Sequence, residues 1–286
     1  MNNCVQLDNC VQSDLTSKIK QFVYTTWGSS NIDRFPGPQP ISIERRHFAH
    51  IKKHEYMVCE KTDGIRHILV CFMDGPTKIC ALVNRSFDYK LYSLTVHKNT
   101  LLDGELIGGS FVVHDAVAIN GEDLRSRPLN ERLSKIHAFC KIIVPGKIKV
   151  QAKHMFSLKD VGKLVLGPHT DGLILTPVYE PVRLGTHRTM FKWKENSKNT
   201  VDFIVHDGFL CVQNESFLLK IQEFSEGVEN QILECVYRSK DSSWTPIIIR
   251  KDKSHPNNLR TFERTRVNIS ENITLDEIKD EFGKGD

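Results

Sequence analysis

The chain has 286 residues, 40% of them apolar and 26% charged. That is enough for one large domain or two ordinary ones, and the composition is that of a globular protein rather than a disordered, collagenous or coiled-coil one. Thirty-nine basic residues against 35 acidic give a net charge of +4, too little to mark a nucleic-acid protein by charge alone.

The opening residues, MNNCVQLDNCVQ, lack the basic cluster and apolar stretch of a secretory signal. The tetrapeptide Asn-Cys-Val-Gln at 3–6 and 9–12 is too short to mark a repeat architecture. The protein is expected to stay in the compartment where it is made or to enter the nucleus, and to be cytoplasmic if its source is viral. Its eight cysteines (4, 10, 59, 71, 80, 140, 211, 235) contain no C-x-x-C pair, so free thiols in a reducing compartment are expected. The apolar run 68–73 is far below the ~18–20 residues that cross a bilayer, so no membrane span is expected.

Leu15, Ile19, Phe22 and Val23 fall on one face of a helix expected over 13–26 behind a Ser13 cap. From 56 to 117 short β-type runs follow one another, with Asp-Gly pairs at 63–64, 74–75 and 103–104 as the expected turns of an antiparallel sheet. Helices are expected over 129–140 and 157–166. Strands follow at 172–176, 190–193, 203–205, 209–212, 217–221, 231–237 and 245–249, the last five spaced closely as in a small barrel. Thr274-Leu275-Asp276-Glu277 is a capping-box signature opening a last helix that Gly283 can end. The fold class is therefore α+β, with one domain over 1–201, a small β-domain over 202–270, and a closing helix within 271–286 that returns to the first domain.

Charge is unevenly placed. Between Arg238 and Arg266 eight basic residues face three acidic ones, a local +5, while the tail from Glu271 holds six acidic and two basic residues. Lys61-Thr62-Asp63-Gly64-Ile65-Arg66 lies between two strand-like runs. Read alone it is either a hairpin turn with an exposed lysine or a nucleophile, because a free amine can attack an α-phosphate while Arg66 holds phosphate or ribose oxygens with its planar fork.

That run, as Cys59-Glu60-Lys61-Thr62-Asp63-Gly64-Ile65-Arg66, resembles the nucleophile motif of the lysine-nucleotidyl transferases, specifically the eukaryotic-type mRNA capping guanylyltransferases. Further matches follow in order: Phe35-Pro36-Gly37-Pro38-Gln39-Pro40-Ile41-Ser42 upstream, then Asn84-Arg85, Asp103-Gly104-Glu105 and His114-Asp115-Ala116-Val117. Thr170-Asp171-Gly172-Leu173-Ile174, Lys192-Trp193-Lys194, Asn199-Thr200-Val201-Asp202-Phe203 and Arg250-Lys251-Asp252-Lys253 with Pro256-Asn257 complete the series.

The resemblance implies a nucleotidyltransferase domain of antiparallel sheets, similar to ATP-grasp folds, plus a C-terminal OB-fold. It implies that Lys61 carries GMP, that Arg66, Arg85 and Glu105 surround ribose and phosphate, and that Glu105 and Asp171 lie near Mg²⁺ or Mn²⁺. Lys192 and Lys194 alternate with Trp193, so on a strand both ammonium groups share one face. Lys153 stands where the family reads guanine, and His114 where most relatives stack Phe or Tyr on the base. Asp202, Arg250, Asp252 and Lys253 complete the implied GTP-binding set, the basic ones closing over the β- and γ-phosphates.

The implied acceptor is 5′-diphosphate RNA. Triphosphatase and cap methyltransferase are expected on other proteins, and phosphorylated RNA polymerase II is an expected partner. The alternatives are an ATP-dependent polynucleotide ligase of the same superfamily and a non-catalytic RNA- or polymerase-binding module. Ligases usually place Glu two residues before the nucleophile, where this chain has Cys59.

Overall fold

A computed structural model describes residues 9–30, 34–96, 99–143, 148–167, 170–214, 219–220 and 227–283. In chain order they form helix α1 (Asn9–Trp27), strand β1 (Gln39–Ser42), helix α2 (Phe48–Lys53), and strands β2 (Tyr56–Thr62), β3 (Ile65–Asp74) and β4 (Thr77–Asn84). Next come β5 (Tyr89–Leu91), β6 (Thr100–Ile107), β7 (Ser110–Ile119), β8 (Glu122–Asp123), helix α3 (Leu129–Ile142), β9 (Lys149–Ala152) and β10 (Phe156–Ser157). The chain continues with β11 (Thr170–Pro177), β12 (Thr186–Trp193), β13 (Thr200–His206), β14 (Phe209–Cys211) and β15 (Leu219–Lys220). It closes with β16 (Ile232–Arg238), β17 (Ser243–Ile249) and helices α4 (Leu259–Glu271) and α5 (Leu275–Phe282).

Three sheets result, in the orders β5-β4-β3-β6-β7-β8 with β9 beside β7, β1-β12-β11-β2-β10, and β15-β14-β13-β16-β17. Pairing is antiparallel except for β1 with β12 and β7 with β9, so the fold is α+β with mainly antiparallel sheets. The continuous apolar run of β3 reflects burial on both faces. Ile68, Val70 and Phe72 share a core with Ile19, Val23 and Trp27 of α1, while Leu69 and Cys71 share another with Leu133, Ile136 and Phe139 of α3.

In the second sheet one face is apolar and the other lines the site. Tyr56, Val58, Leu173, Leu175, Phe191 and Trp193 pack with Ile51, Val161, Ile278 and Phe282, and the Trp193 indole donates to the Ile273 carbonyl at 2.8 Å. Thr274 caps α5 by accepting from the Glu277 N–H at 3.1 Å, as its capping box predicts. Ion pairs of Arg45 with Glu277 and Lys52 with Glu281 hold the same helix to the 3₁₀ turn before α2 and to α2 itself. In the third sheet Val201, Phe203, Leu233, Cys235 and Trp244 bury Phe262 of α4.

Several expectations are corrected. Of the three Asp-Gly pairs, 74–75 forms a hairpin turn, with Asp74 opposite Thr77. Asp63-Gly64 does not, because β2 and β3 belong to different sheets and the pair is the crossing between them. Asp103-Gly104 lies inside β6, paired with β3 on one side and β7 on the other. Helix α1 begins before Ser13, which is interior. The expected helix 157–166 is strand β10 followed by a 3₁₀ helix over Leu158–Lys163, where Gly162 weakens α-helical continuation. Helix α4 was not foreseen. Of the expected strand 217–221 only Leu219–Lys220 is described, and Cys4 with the first tetrapeptide copy lies outside the described residues. The cysteines at 59, 71, 80, 140, 211 and 235 are free thiols.

Candidate active site

The polar face of the second sheet meets the end of the first across a cavity of about 610 Å³. Its wall includes Lys61 of β2, Arg66 of β3, Arg85 after β4, Glu105 of β6, His114 of β7, Lys153 after β9 and Lys192 of β12. Seven of the thirteen expected site residues, distant in sequence, therefore line one space.

Lys61 donates to Asp171 Oδ2 at 2.6 Å, and Lys194 reaches the same oxygen at 2.8 Å. The backbone explains how Asp171 reaches both. On β11 Thr170 pairs with Thr62 but Gly172 pairs with Lys61, so Asp171 is the extra residue of a bulge and is turned toward the lysine. Gly172 has φ +150°, and a Cβ there would sit 1.9 Å from the Trp193 carbonyl oxygen, so only glycine fits. Burial alone would raise the Asp171 pKa, but hydrogen bonds from Lys194 and Lys61 outweigh it and hold the carboxyl below the usual range. Burial, with Lys194 and Lys61 nearby, pushes the Lys192 pKa below that of an ordinary lysine.

Arg66 is held from two sides. Nε and Nη2 donate to the two oxygens of Asp103, and Nη1 donates to the Pro38 carbonyl at 2.7 Å. Asp103 is 1% exposed, and against its burial the neighbouring Arg66 keeps the carboxyl ionised below the usual range. The guanidinium thus pins the Pro38 segment over the cavity and keeps only its remaining N–H groups for a ligand. His114 Nε2 lies 3.6 Å from the same Asp103. Thr62 donates to Glu105 and accepts from Lys153 Nζ at 3.3 Å, linking three sides of the wall. Glu60 accepts from the Gly167 N–H at 2.8 Å and from Thr170, which engages it with the loop before β11. Cys59 is buried, its thiol pushed up to about 12 by burial.

A second cavity of about 500 Å³ adjoins the first and shares Gln39, Pro40 and Lys192 with it. Lys194, Asp202, Arg250 and Lys253 line it. Arg250 is clamped: Nη1 donates to Asp202 at 3.0 Å and Glu234 at 3.1 Å, and Nε and Nη2 donate to Asp252 at 2.9 and 2.8 Å. Asp252 lines neither cavity; it serves Arg250.

Residues 1–196 match the family model of the mRNA capping enzyme catalytic domain, and residues 186–279 that of the mRNA capping enzyme C-terminal domain. The chain belongs to the mRNA capping enzyme family. It is 30% identical to the mRNA-capping enzyme subunit alpha of Neurospora crassa over 70% of this chain and 60% of that protein. It is 24% identical to the subunit of the same name from Yarrowia lipolytica over 86% and 81%, and 28% identical to the mRNA-capping enzyme of Danio rerio over 85% and 48%. It thus spans less than two thirds of the Neurospora protein and about half of the zebrafish one. Among solved structures, a mycobacterial DNA ligase D complexed with ATP and MES is similar at 11% identity and a TM-score of 0.45, over 76% of this chain and 95% of that one.

In this capping-enzyme family member no group of three or more His, Cys, Asp or Glu side chains converges on a metal site among the described residues. A magnesium ion commonly takes one or two carboxylates and completes its shell with water and substrate phosphate. Glu105 lines the first cavity and accepts from Thr62, and Asp171 accepts from Lys61 and Lys194, so each offers single carboxylate oxygens of the type such an ion takes. Sequence reasoning missed Thr62, Asp103 and Glu234. Thr62 and Asp103 stood inside quoted motifs, where Asp103 passed for a turn residue, while Glu234 had no signal beyond its place on a strand.

Proposed function

We propose that this chain is an mRNA guanylyltransferase that forms a covalent Lys61–GMP intermediate from GTP and transfers GMP to the 5′-diphosphate end of RNA. The observation that carries the reading is the Lys61 amine held at Asp171 beside Lys192 and Lys194, in a cavity large enough for a nucleotide. In the first step the Lys61 nitrogen forms a bond to the α-phosphorus, the bond from that phosphorus to the β-phosphate oxygen breaks, and pyrophosphate departs. The attacking amine must shed its proton, and the Asp171 oxygen at 2.6 Å is the nearest acceptor. Lys192 and Lys194 stabilise charge that develops on the phosphoryl oxygens. Mg²⁺ or Mn²⁺, when bound by Glu105 with Asp171, would supply further neutralisation of the phosphates.

Arg85, Lys153, His114 and the free N–H groups of Arg66 are assigned to ribose, phosphate and base, with Lys153 on guanine. Arg250 and Lys253 are assigned to the β- and γ-phosphates, and Asp202 and Asp252 to holding Arg250. Residues 202–270 are assigned to an OB-fold unit and the helix within 271–286 to the nucleotidyltransferase unit over 1–201. The name subunit alpha of the fungal relatives supports a partner subunit bearing a complementary activity such as RNA triphosphatase, with cap methyltransferase and polymerase docking also outside this chain. Nuclear localisation follows from that reading. A ligase is disfavoured because the position two before Lys61 is a buried thiol and Glu60 is turned to Gly167 and Thr170.

The test is incubation with labelled GTP or ATP. GTP is expected to label the protein through an alkali-stable, acid-labile bond, and Lys61→Ala and Lys61→Arg to abolish the label, since a guanidinium stays protonated at neutral pH. Preference for ATP, or labelling that survives Lys61→Ala, would refute the assignment.

A further inference from the structure

The second cavity holds more cationic surface than guanylyl transfer from GTP assigns. Two phosphate groups, each of a few water volumes at ~30 Å³ per water, fill only part of about 500 Å³. Among its cations Lys194 is paired with Asp171, and Arg250 with Asp202 and Glu234. Lys192, Lys253 and Arg264 enter no ion pair among the described residues.

Arg264 stands on α4, whose start is fixed by Asn258 accepting from the Thr261 N–H at 2.9 Å. Phe262 anchors the helix in the core of the third sheet, and the Asn268 side-chain amide donates to the Ile43 carbonyl at 2.7 Å, tying the helix to the end of β1. Arg264 is half-buried and lines the cavity with Thr261 and Thr265. The helix, and with it the backbone that carries Arg264, is therefore fixed beside the cavity that Lys192 also lines.

Stereochemistry says what passes here. Phosphoryl transfer places the attacking and leaving groups roughly in line. If Lys61 attacks the α-phosphorus, pyrophosphate leaves on the side away from Lys61. In the second displacement Lys61 is the leaving group, so the acceptor oxygen must enter from the side pyrophosphate vacated. An oxygen of the RNA terminal phosphate then bonds to the GMP phosphorus, the phosphorus–nitrogen bond breaks, and the amine departs with a proton taken from water. The 5′-terminal phosphates of that RNA, which a 5′-hydroxyl end lacks, therefore enter the cationic space on that side first.

We infer that Arg264 is a binding residue for the phosphates at the 5′ end of the acceptor RNA, forming with Lys192 and Lys253 an acceptor channel in the second cavity. This rests on the guanylyltransferase reading, and the labelled Lys61 adduct of the unaltered chain tests that reading separately. The experiment measures equilibrium binding of a short 5′-diphosphate RNA, the same RNA with a 5′-hydroxyl, and GTP to the full chain at several salt concentrations. Arg264→Gln is expected to weaken the diphosphate RNA roughly tenfold and to flatten its salt dependence by about 0.7, the slope of one phosphate contact on a single strand. The other two ligands are expected to change less than twofold. Arg264→Lys keeps the charge and is expected to retain most of the affinity, which also serves if the Gln variant folds poorly. Equal losses for 5′-hydroxyl RNA would make Arg264 a general backbone contact, equal losses for GTP would assign it to the nucleotide's own phosphates, and no loss would remove it from the site; each result overturns the inference.

Discussion

Asp103 and Asp171 decide which cations of the groove can meet a phosphate. Asp171 lines neither cavity itself but accepts on one oxygen from two single-point ammonium groups, Lys61 of the first cavity and Lys194 of the second. Asp103 lies beneath and grips a planar fork by two parallel bonds, a geometry that positions more than it exchanges. His114 sits between the roles, lining the cavity yet 3.6 Å from Asp103. If its ring stacks on guanine, His114→Ala should raise the GTP concentration for half-maximal labelling by roughly fivefold to 150-fold, the ~1–3 kcal/mol of one stacked base. His114→Phe should then label as well as the unaltered chain. Failure of the Phe variant alongside the Ala variant would trace the role to the Asp103 contact, which a phenyl ring cannot make.

Strands deliver the site, and the bulge on β11 is the device that aims its carboxylate. Gly172→Ala would drive a methyl group into the Trp193 carbonyl and require a left-sided backbone that L-residues rarely adopt. It is expected to lower stability by about 2 kcal/mol or more and to cut adduct formation further than the fraction unfolded explains, measured by thermal melting and labelling of the same sample. Normal labelling in the folded fraction would show that Asp171 does not need the bulge. Other elements announced themselves unequally. Helices α3 and α5 were legible because apolar periodicity, and for α5 the Thr274 cap, are local signals. Strand β6 was not, because Asp103-Gly104 carries the local chemistry of a turn while its pairing on both sides is settled by β3 and β7. Helix α4 was missed because its apolar face, Leu259, Phe262 and Ile269, is thin within a strongly polar, basic segment, with Arg264 at a cavity. The motif residues around Lys61 were legible as a set, whereas the Arg66–Asp103 and Arg250–Glu234 pairings depend on contacts between segments that no spacing encodes.

At the scale of the whole molecule, one cavity is shared by the second sheet and the third, and the two basic residues facing it from the Arg250–Lys253 turn are held in opposite ways. Arg250 bridges three carboxylates, and burial raises the pKa of one of them, Asp202, against the pull of Arg250. Lys253 has no such clamp. Removing Arg250 would leave Asp202 and Glu234 side by side without their cation, at a cost of about 1–3 kcal/mol for the desolvated group left unpaired. In a chain of this length that corresponds to a fall in Tm of several degrees. Lys253→Ala should stay within about 0.5 kcal/mol of the unaltered stability, as exposed substitutions do. Both variants should slow single-turnover adduct formation from GTP by at least about tenfold, because each loses a cation assigned to the departing pyrophosphate. The decisive comparison is the pair of quantities measured together. Lys253→Ala should lose rate at unchanged Tm, while Arg250→Ala should lose both, and Arg250→Lys should recover little of either because an ammonium cannot bridge Asp202, Glu234 and Asp252 at once. An unchanged rate in Lys253→Ala would take the turn out of the chemistry and leave it as part of the acceptor channel. A matching fall in Tm for Lys253→Ala would mean that its charge, like that of Arg250, holds the third sheet together.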